Sequence, residues 1–293
     1  MERDEQPPGE SKTTLSESKT TTPSEPATTP DEPTPTTTPS EPTPTPTPPD
    51  APVLEPAPEA AQRRRAVYRL LRVEIFYLLG LAAFAVLAVL AYYNAYFGWD
   101  LRASRLVQSA DPPGMLALMR FVSFFGNGWT PYLMGTVTGL IFLAFNRRSE
   151  MAGLALSAGG SGIVNSLLKM LIARPRPTPD LVQVLRDTKT LSFPSGHVTF
   201  YVCYFGFLFF VAYALVPLKS NWRRPVLALA ALPVLLVGLS RVYLGAHWPS
   251  DTLGAYLVSG LWLAFSLHMY RRWKQRASFK PELHADEKRD VRG

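Results

Sequence analysis

Cysteine is almost missing, with Cys203 alone in 293 residues. One thiol excludes an intrachain disulfide and a thiolate metal cluster. Set inside an apolar run, it reads as a small apolar side chain rather than a nucleophile. Histidine is nearly as scarce, with four copies. Acidic residues are thin beyond the first 60 positions. Those 60 hold twelve Asp/Glu and three Lys/Arg, net −9, so a chain of net charge +7 leaves about +16 on the other 233 residues. The early part also lacks a basic start followed by an apolar core, the pattern of a secretory leader.

What is present divides the chain in two. The mean hydropathy of +0.03 averages a polar stretch and a strongly apolar one. Residues 1–62 repeat Thr-Pro and Ser-Glu-Pro. Such a segment buries too little apolar surface to offset its ordering entropy, so a disordered tail is expected there. Residues 63–275 carry long apolar runs, and 276–293 form a charged C-terminal tail. A membrane helix needs about 20 mostly apolar residues. Six runs qualify or come near it, at about Ile75–Tyr93, Tyr132–Phe145, Met151–Ile172, Val198–Leu215, Val226–Leu239 and Thr252–Tyr270. The expected fold is all-α, a polytopic membrane protein with six transmembrane helices. In the third run, Gly159-Gly160-Ser161-Gly162 suits close helix packing. A half-apolar stretch, Met115–Phe125, reads as an interfacial helix.

The basic residues lie at the ends of apolar runs, which favours a bilayer over nucleic acid as the partner. Arg63-Arg64-Arg65, Arg147-Arg148, Lys219 with Arg223-Arg224, and Arg271-Arg272 with Lys274 and Arg276 all fall on one side if there are six spans. The positive-inside bias makes that side cytoplasmic. Both termini are then expected in the cytoplasm, and the loops after spans one, three and five on the outer face of the inner membrane.

Those outward loops hold the unusual polar residues. Lys169 closes span three, and Arg174-Pro175-Arg176-Pro177 follows. Pro194-Ser195-Gly196-His197 precedes span four, and Ser240-Arg241 ends span five, followed by His247 and Asp251. Each has an ordinary reading. Lys169 and Arg176 would serve as snorkelling anchors, Ser195-Gly196 as a helix cap, and His247 with Asp251 as an i, i+4 pair. Ionisable residues at membrane edges are nevertheless functional by default, and together these make one chemical set. Lys169, Arg176 and Arg241 can spread positive charge over phosphoryl oxygens. The amides at Ser195-Gly196 open a helix, a natural anion site. His247 can attack phosphorus if Asp251, one turn away, holds its other nitrogen. His197 can protonate the leaving oxygen.

The three stretches read Lys-x6-Arg-Pro, Pro-Ser-Gly-His and Ser-Arg-x5-His-x3-Asp, complete and in order. This resembles the three-part signature of the type 2 phosphatidic acid phosphatase superfamily. That group includes undecaprenyl pyrophosphate phosphatases, glucose-6-phosphatases and vanadium haloperoxidases. The resemblance covers roughly residues 70–272. It implies Lys169, Arg176, Ser195, Gly196 and Arg241 as phosphate-binding residues, His197 as general acid, His247 as nucleophile and Asp251 as its orienting partner. It also implies no metal and no cofactor. Arg174 lies outside the fixed positions and reads as structural or as a headgroup contact. The expected activity is hydrolysis of a membrane lipid phosphate or isoprenoid pyrophosphate, with undecaprenyl pyrophosphate favoured over phosphatidic acid and phosphatidylglycerol phosphate. Alternatives on the same motifs are a lipid-linked phosphotransferase and a vanadate haloperoxidase, the latter disfavoured by six spans. A non-catalytic membrane scaffold or transporter is disfavoured by complete motifs.

Overall fold

The computed structural model describes residues 59–185 and 190–290, with side chains described over 74–185 and 190–276. The expected disordered tail, up to residue 58, lies outside the described residues. All regular structure among the described residues is helical. Helix α1 is Glu59–Tyr93, α2 Gly98–Ser109, α3 Met115–Phe124 and α4 Thr130–Ala144. A continuous helical rod follows, made of α5 Arg148–Leu154, a π-helical turn Ala155–Gly159 and α6 Gly160–Ile172. Then come α7 Gly196–Leu215, α8 Arg223–Tyr243 and α9 Pro249–Asp290. The stretch read as a charged C-terminal tail continues α9 as helix to Asp290.

Among the described residues, five segments are long and apolar enough to cross a bilayer: Glu74–Tyr93, Arg148–Ile172, Gly196–Leu215, Arg223–Tyr243 and Pro249–Arg276. The expected sixth, Tyr132–Phe145, is α4, with 15 residues. At 1.5 Å per residue it spans about 22 Å, short of a hydrocarbon core of about 30 Å. Apolar side chains point outward along these helices, as with Phe76 and Leu79 on α1 and Leu229 and Leu235 on α8. A surface so apolar is what hydrocarbon solvates and water does not.

Helix α7 forms the centre. Val198, Tyr201, Cys203 and Phe207 are fully buried along it, against α8, α9 and the rod. Lipid is as apolar as leucine, so packing relies on close approach and on polar contacts. Of the three glycines in the small-residue patch, Gly160 packs tightly, since a Cβ there would lie 2.6 Å from the Trp262 ring, and Ser161 beside it is 1 % exposed. Gly159 and Gly162 face open space instead. At the π turn the carbonyls of Ala155, Leu156 and Ser157 share one backbone donor, the Gly160 N–H. The Trp262 indole on α9 donates to two of them, Leu156 O at 3.0 Å and Ser157 O at 3.2 Å.

Helix ends bring the polar motifs together. Ala173 adopts a left-handed conformation at φ 51° and stops α6. Pro175 and Pro177 then forbid its resumption. Ser195, extended, precedes α7. Gly245 turns the chain after α8 at φ +63°, where a Cβ would meet Gln183 O at 2.0 Å, so only glycine fits. Pro249 is the first residue of α9, where its missing N–H costs nothing. The C-terminal ends of α6 and α8 thus meet the N-terminal ends of α7 and α9. The stretch read as interfacial, Met115–Phe125, is α3, which buries Met119, Val122 and Ser123 and packs on α8.

Candidate active site

All eight residues singled out in the sequence converge at that end. Lys169, Arg176, Gly196, His197, Arg241 and His247 line one cleft of about 770 Å³. Ser195 and Asp251 lie buried behind it.

His247 is 1 % exposed. Its Nε2 lies 3.2 Å from Arg176 Nη1. A guanidinium only donates, so Nε2 is the acceptor and the ring proton sits on Nδ1. Nδ1 faces Asp251 Oδ2 at 3.6 Å and Ser192 Oγ at 3.4 Å. The Nε2 lone pair therefore points toward the cations, while the protonated nitrogen points toward the carboxylate. Burial first, then the charges of Arg176, Arg241 and Lys169, push the His247 imidazole well below its ordinary value, so the ring stays neutral.

Asp251 is fully buried and every approach to it is engaged. Oδ1 accepts from Arg174 Nη1 at 2.6 Å. Oδ2 accepts from the Trp248 N–H at 2.9 Å and from the Ser192 hydroxyl. Its backbone carbonyl accepts from the Ser195 N–H at 3.2 Å, tying the start of α9 to the start of α7.

The cations are held from behind by neutral groups. Lys169 Nζ donates to Leu191 O at 2.5 Å. Arg176 donates to Thr190 O at 2.6 Å, to Thr190 Oγ1 at 2.7 Å and to Ala246 O. Arg241, 1 % exposed, donates from Nη1 to Ser123 Oγ at 3.1 Å. Ser123 in turn pairs with Ser240 Oγ at 2.7 Å, and Ser240 donates to Met119 O at 2.6 Å. Asn165, one turn before Lys169, donates to Pro194 O at 3.3 Å and Thr199 Oγ1 at 3.0 Å, clamping the start of α7. Ser195 Oγ is buried without a hydrogen-bond partner among the described residues.

His197 is half-buried at the mouth of α7. Its Nε2 lies 2.8 Å from Asn127 Oδ1, in the loop between α3 and α4. The ring lies against Gly126, where a Cβ would be 2.4 Å from its Cδ2. Away from these groups the cleft turns apolar. It continues between α4 and the α5–α6 rod, lined by Gly135, Gly139, Leu140, Met151 and Leu154. From Lys169 to Met151 this is roughly 27 Å of helix.

Sequence reading missed four contributors: Asp100, Ser123, Asn127 and Ser192. They are single polar residues on α2, on α3 and in loops, with no spacing of their own. From the sequence, Arg174 reads as structural or as a headgroup contact. The side chain is 1 % exposed and ion-paired to Asp100 and Asp251, so it makes no headgroup contact.

Comparison with known proteins follows the same outline. The family model described as the PAP2 superfamily matches residues 150–275. A phosphatidylglycerophosphatase B of Bacillus subtilis is 27% identical over 182 residues, 62% of this chain and 88% of that protein. A decaprenylphosphoryl-5-phosphoribose phosphatase of Mycobacterium tuberculosis is 36% identical over 151 residues, 50% of this chain and 76% of the relative. The crystal structure of a transmembrane PAP2 type phosphatidylglycerolphosphate phosphatase from Bacillus subtilis resembles this chain with a TM-score of 0.58 at 25% identity. That likeness covers 67% of this chain and 96% of the other. The family match contains the motif residues but neither Asp100 nor Ser123 nor Asn127.

Proposed function

The chain belongs to the PAP2 superfamily, and from that premise we propose its substrate class and mechanism. It is a membrane phosphatase acting on lipid phosphates. The proposed substrate is an isoprenoid pyrophosphate, with undecaprenyl pyrophosphate first and phosphatidylglycerol phosphate or phosphatidic acid behind it. Two observations support a long apolar tail: the deep groove continuous with the polar site, and 36% identity to an enzyme named for a decaprenyl-linked substrate.

The orientation of His247 carries the mechanism. The Nε2 lone pair attacks phosphorus, forming a P–N bond as the P–O bond to the leaving group breaks. His197 gives its proton to that leaving oxygen. Lys169, Arg176, Arg241 and the α7 amides at Ser195-Gly196 hold the three phosphoryl oxygens. Asp251 holds the Nδ1–H, which makes the phosphorylated ring's charge tolerable in a buried place. Water then attacks phosphorus, giving a proton to His197 as the P–N electron pair returns to Nε2. Inorganic phosphate leaves, and every group regains its starting proton.

The site is proposed to face the outer side. Arg147-Arg148, Arg223-Arg224 and Arg271-Arg272 lie at the opposite helix ends from Lys169, Arg241 and Asp251, in keeping with positive-inside placement. In this reading α4 completes a six-span bundle despite its length. Trp129 and Tyr132 stand at one end of it and Arg147-Arg148 follow the other, and local bilayer thinning accommodates a short span.

The test is a substrate panel on purified protein with a His247→Ala control. Phosphate release from the isoprenoid pyrophosphate above the other lipids, and an alkali-stable labelled histidine at position 247, are expected. Full phosphate release by His247→Ala would remove the mechanism. No release without an added acceptor would turn the reading to a phosphotransferase.

A further inference from the structure

Behind His247 lies a chain of buried charges that the three motifs do not include. Asp251 binds Arg174 at 2.6 Å and Arg174 binds Asp100 at 3.1 Å, all three side chains being 0 % exposed. Asp100 is far away in sequence, on α2. Its Oδ2 also accepts from Ser250 Oγ at 2.7 Å, and its Oδ1 from the Ser250 N–H at 2.8 Å. Arg174 also donates to Ser250 Oγ at 2.7 Å and Asn94 O at 3.1 Å, with its guanidinium 4.8 Å from the Phe97 ring centroid.

Three desolvated charges are a costly way to join helices, and well-packed apolar residues of similar volume commonly do as well or better. What apolar residues cannot do is orient a carboxylate. Arg174 is planar and rigid in its donors. With Oδ1 taken by Nη1, the plane of Asp251 is set, and Oδ2 is the oxygen left to face His247 Nδ1. Asp100 fixes the guanidinium from the other edge and also caps the start of α9, on which Asp251 rides.

We infer that Arg174, anchored by Asp100, is a positioning residue for His247, acting through Asp251 to aim the Nε2 lone pair into the cleft. This rests on the phosphohistidine reading above. It distinguishes Arg174 from Arg176, its neighbour two positions on, which lines the cleft itself. The two arginines of one short loop thus serve opposite faces of the same imidazole.

The charge order makes the inference testable apart from stability. His247 is faced by Lys169 from α6, Arg176 from the following loop, Arg241 from α8 and Asp251 from α9. None of these is altered by changes at positions 100 and 174. Arg174→Met leaves Asp251 uncompensated, so His247 protonates more readily and the acid limb of kcat/KM moves up. Asp100→Asn removes the outer negative charge, so the limb moves down. The opposed shifts report that both charges are coupled to His247, and a loss of kcat at unchanged KM reports that they also position it.

The experiment compares full-length Arg174→Met, Asp100→Asn, the double variant and His247→Ala in detergent, with a soluble aryl phosphate as substrate. The expected result is opposed limb shifts in the single variants. In the double variant we expect a folded protein with kcat down roughly a hundredfold and KM nearly unchanged. A folded double variant with kcat within about threefold of the parent overturns the inference. If the double variant does not fold, Asp100→Asn decides alone: kcat within about threefold of the parent overturns the inference, and a larger loss of kcat at unchanged KM supports it. The two readings fail separately. An active His247→Ala removes the nucleophile itself, whereas an inactive His247→Ala beside an active double variant removes only the role of Arg174.

Discussion

Replacing Gly126 with alanine places a methyl group where the His197 ring lies. The new Cβ would sit 2.4 Å from Cδ2 and 2.9 Å from Cγ, whereas ordinary contact begins near 3.4 Å. The ring therefore shifts by about 1 Å, and its 2.8 Å bond to Asn127 lengthens with it. A misplacement of about 1 Å in a group acting at the transition state costs roughly a hundredfold, or about 2.7 kcal/mol. The loss depends on the leaving group. An alkyl phosphate expels a poor leaving oxygen and needs the proton; p-nitrophenyl phosphate expels a stable phenolate and does not. Gly126→Ala is therefore expected to lower kcat/KM, which reports the transfer to His247, about a hundredfold on a short-chain phosphatidic acid and far less on the aryl ester, while the shared hydrolysis of the phosphohistidine, which also uses His197, slows for both. Steady-state release of phosphate from both, with circular dichroism to check folding, makes the measurement. Equal losses of kcat/KM on the two substrates, or none on the alkyl ester, would refute His197 as the proton donor.

Four further outcomes are expected. His247 is held neutral by burial and by three cations, so the acid limb of kcat/KM should lie below the ordinary histidine value of about 6.5; a limb at or above it contradicts the assignment. The same shift has a stability consequence, because the unfolded chain takes up the proton first. The His247 contribution is complete above about 6.5 and is lost as pH falls toward the folded-state value, which acid-dependent thermal inactivation reads. Ser123→Ala removes the partner of Arg241 Nη1 and of Ser240, so inhibition by vanadate should weaken about tenfold, for a lost bond of about 1.5 kcal/mol to a charged group; unchanged inhibition would detach Arg241 from the anion. Gly160→Ala drives a methyl into Trp262 and should destabilise by about 1–3 kcal/mol, whereas Gly162→Ala meets open space and should be tolerated; equal melting points in detergent would contradict the packing.

The motif residues were legible because each motif is short and its spacing is local. Lys169 and Arg176 flank one helix end, and His247 and Asp251 lie across another. Helix ends that carry such groups on one side of a bundle meet with little freedom. Asp100, Ser123 and Asn127 were not legible, because their part in the site depends only on where α2, α3 and the loop before α4 dock. Asp100 had a local signal at most, as the acidic residue in the first turn of α2, where its Oδ2 accepts from the Phe97 N–H at 3.1 Å. Hydropathy located the apolar runs, but it could not tell a full span from the 15 residues of α4. It also could not see that Met115–Phe125 packs one face on α8. The glycine patch divided for a similar reason: Gly160 meets a ring from α9, and which residues of the patch do so depends on the rotation of the rod.

That rotation is governed by the π turn at Ala155–Gly159. A π turn accommodates one residue more than an α turn, and one residue is about 100° of helix rotation. The rod therefore has two independent phases. Below the turn, Glu150 is directed at Tyr270 and Lys274 of α9. Above it, Asn165 and Lys169 are directed at the start of α7 and the loop before it. A regular helix of the same length would satisfy one set of neighbours and misdirect the other. Deleting one residue between 155 and 159 would thus disarm the site from about three turns away, without touching any residue that meets the phosphate. The widened turn acts as a gear between the anchoring end of the rod and its chemical end.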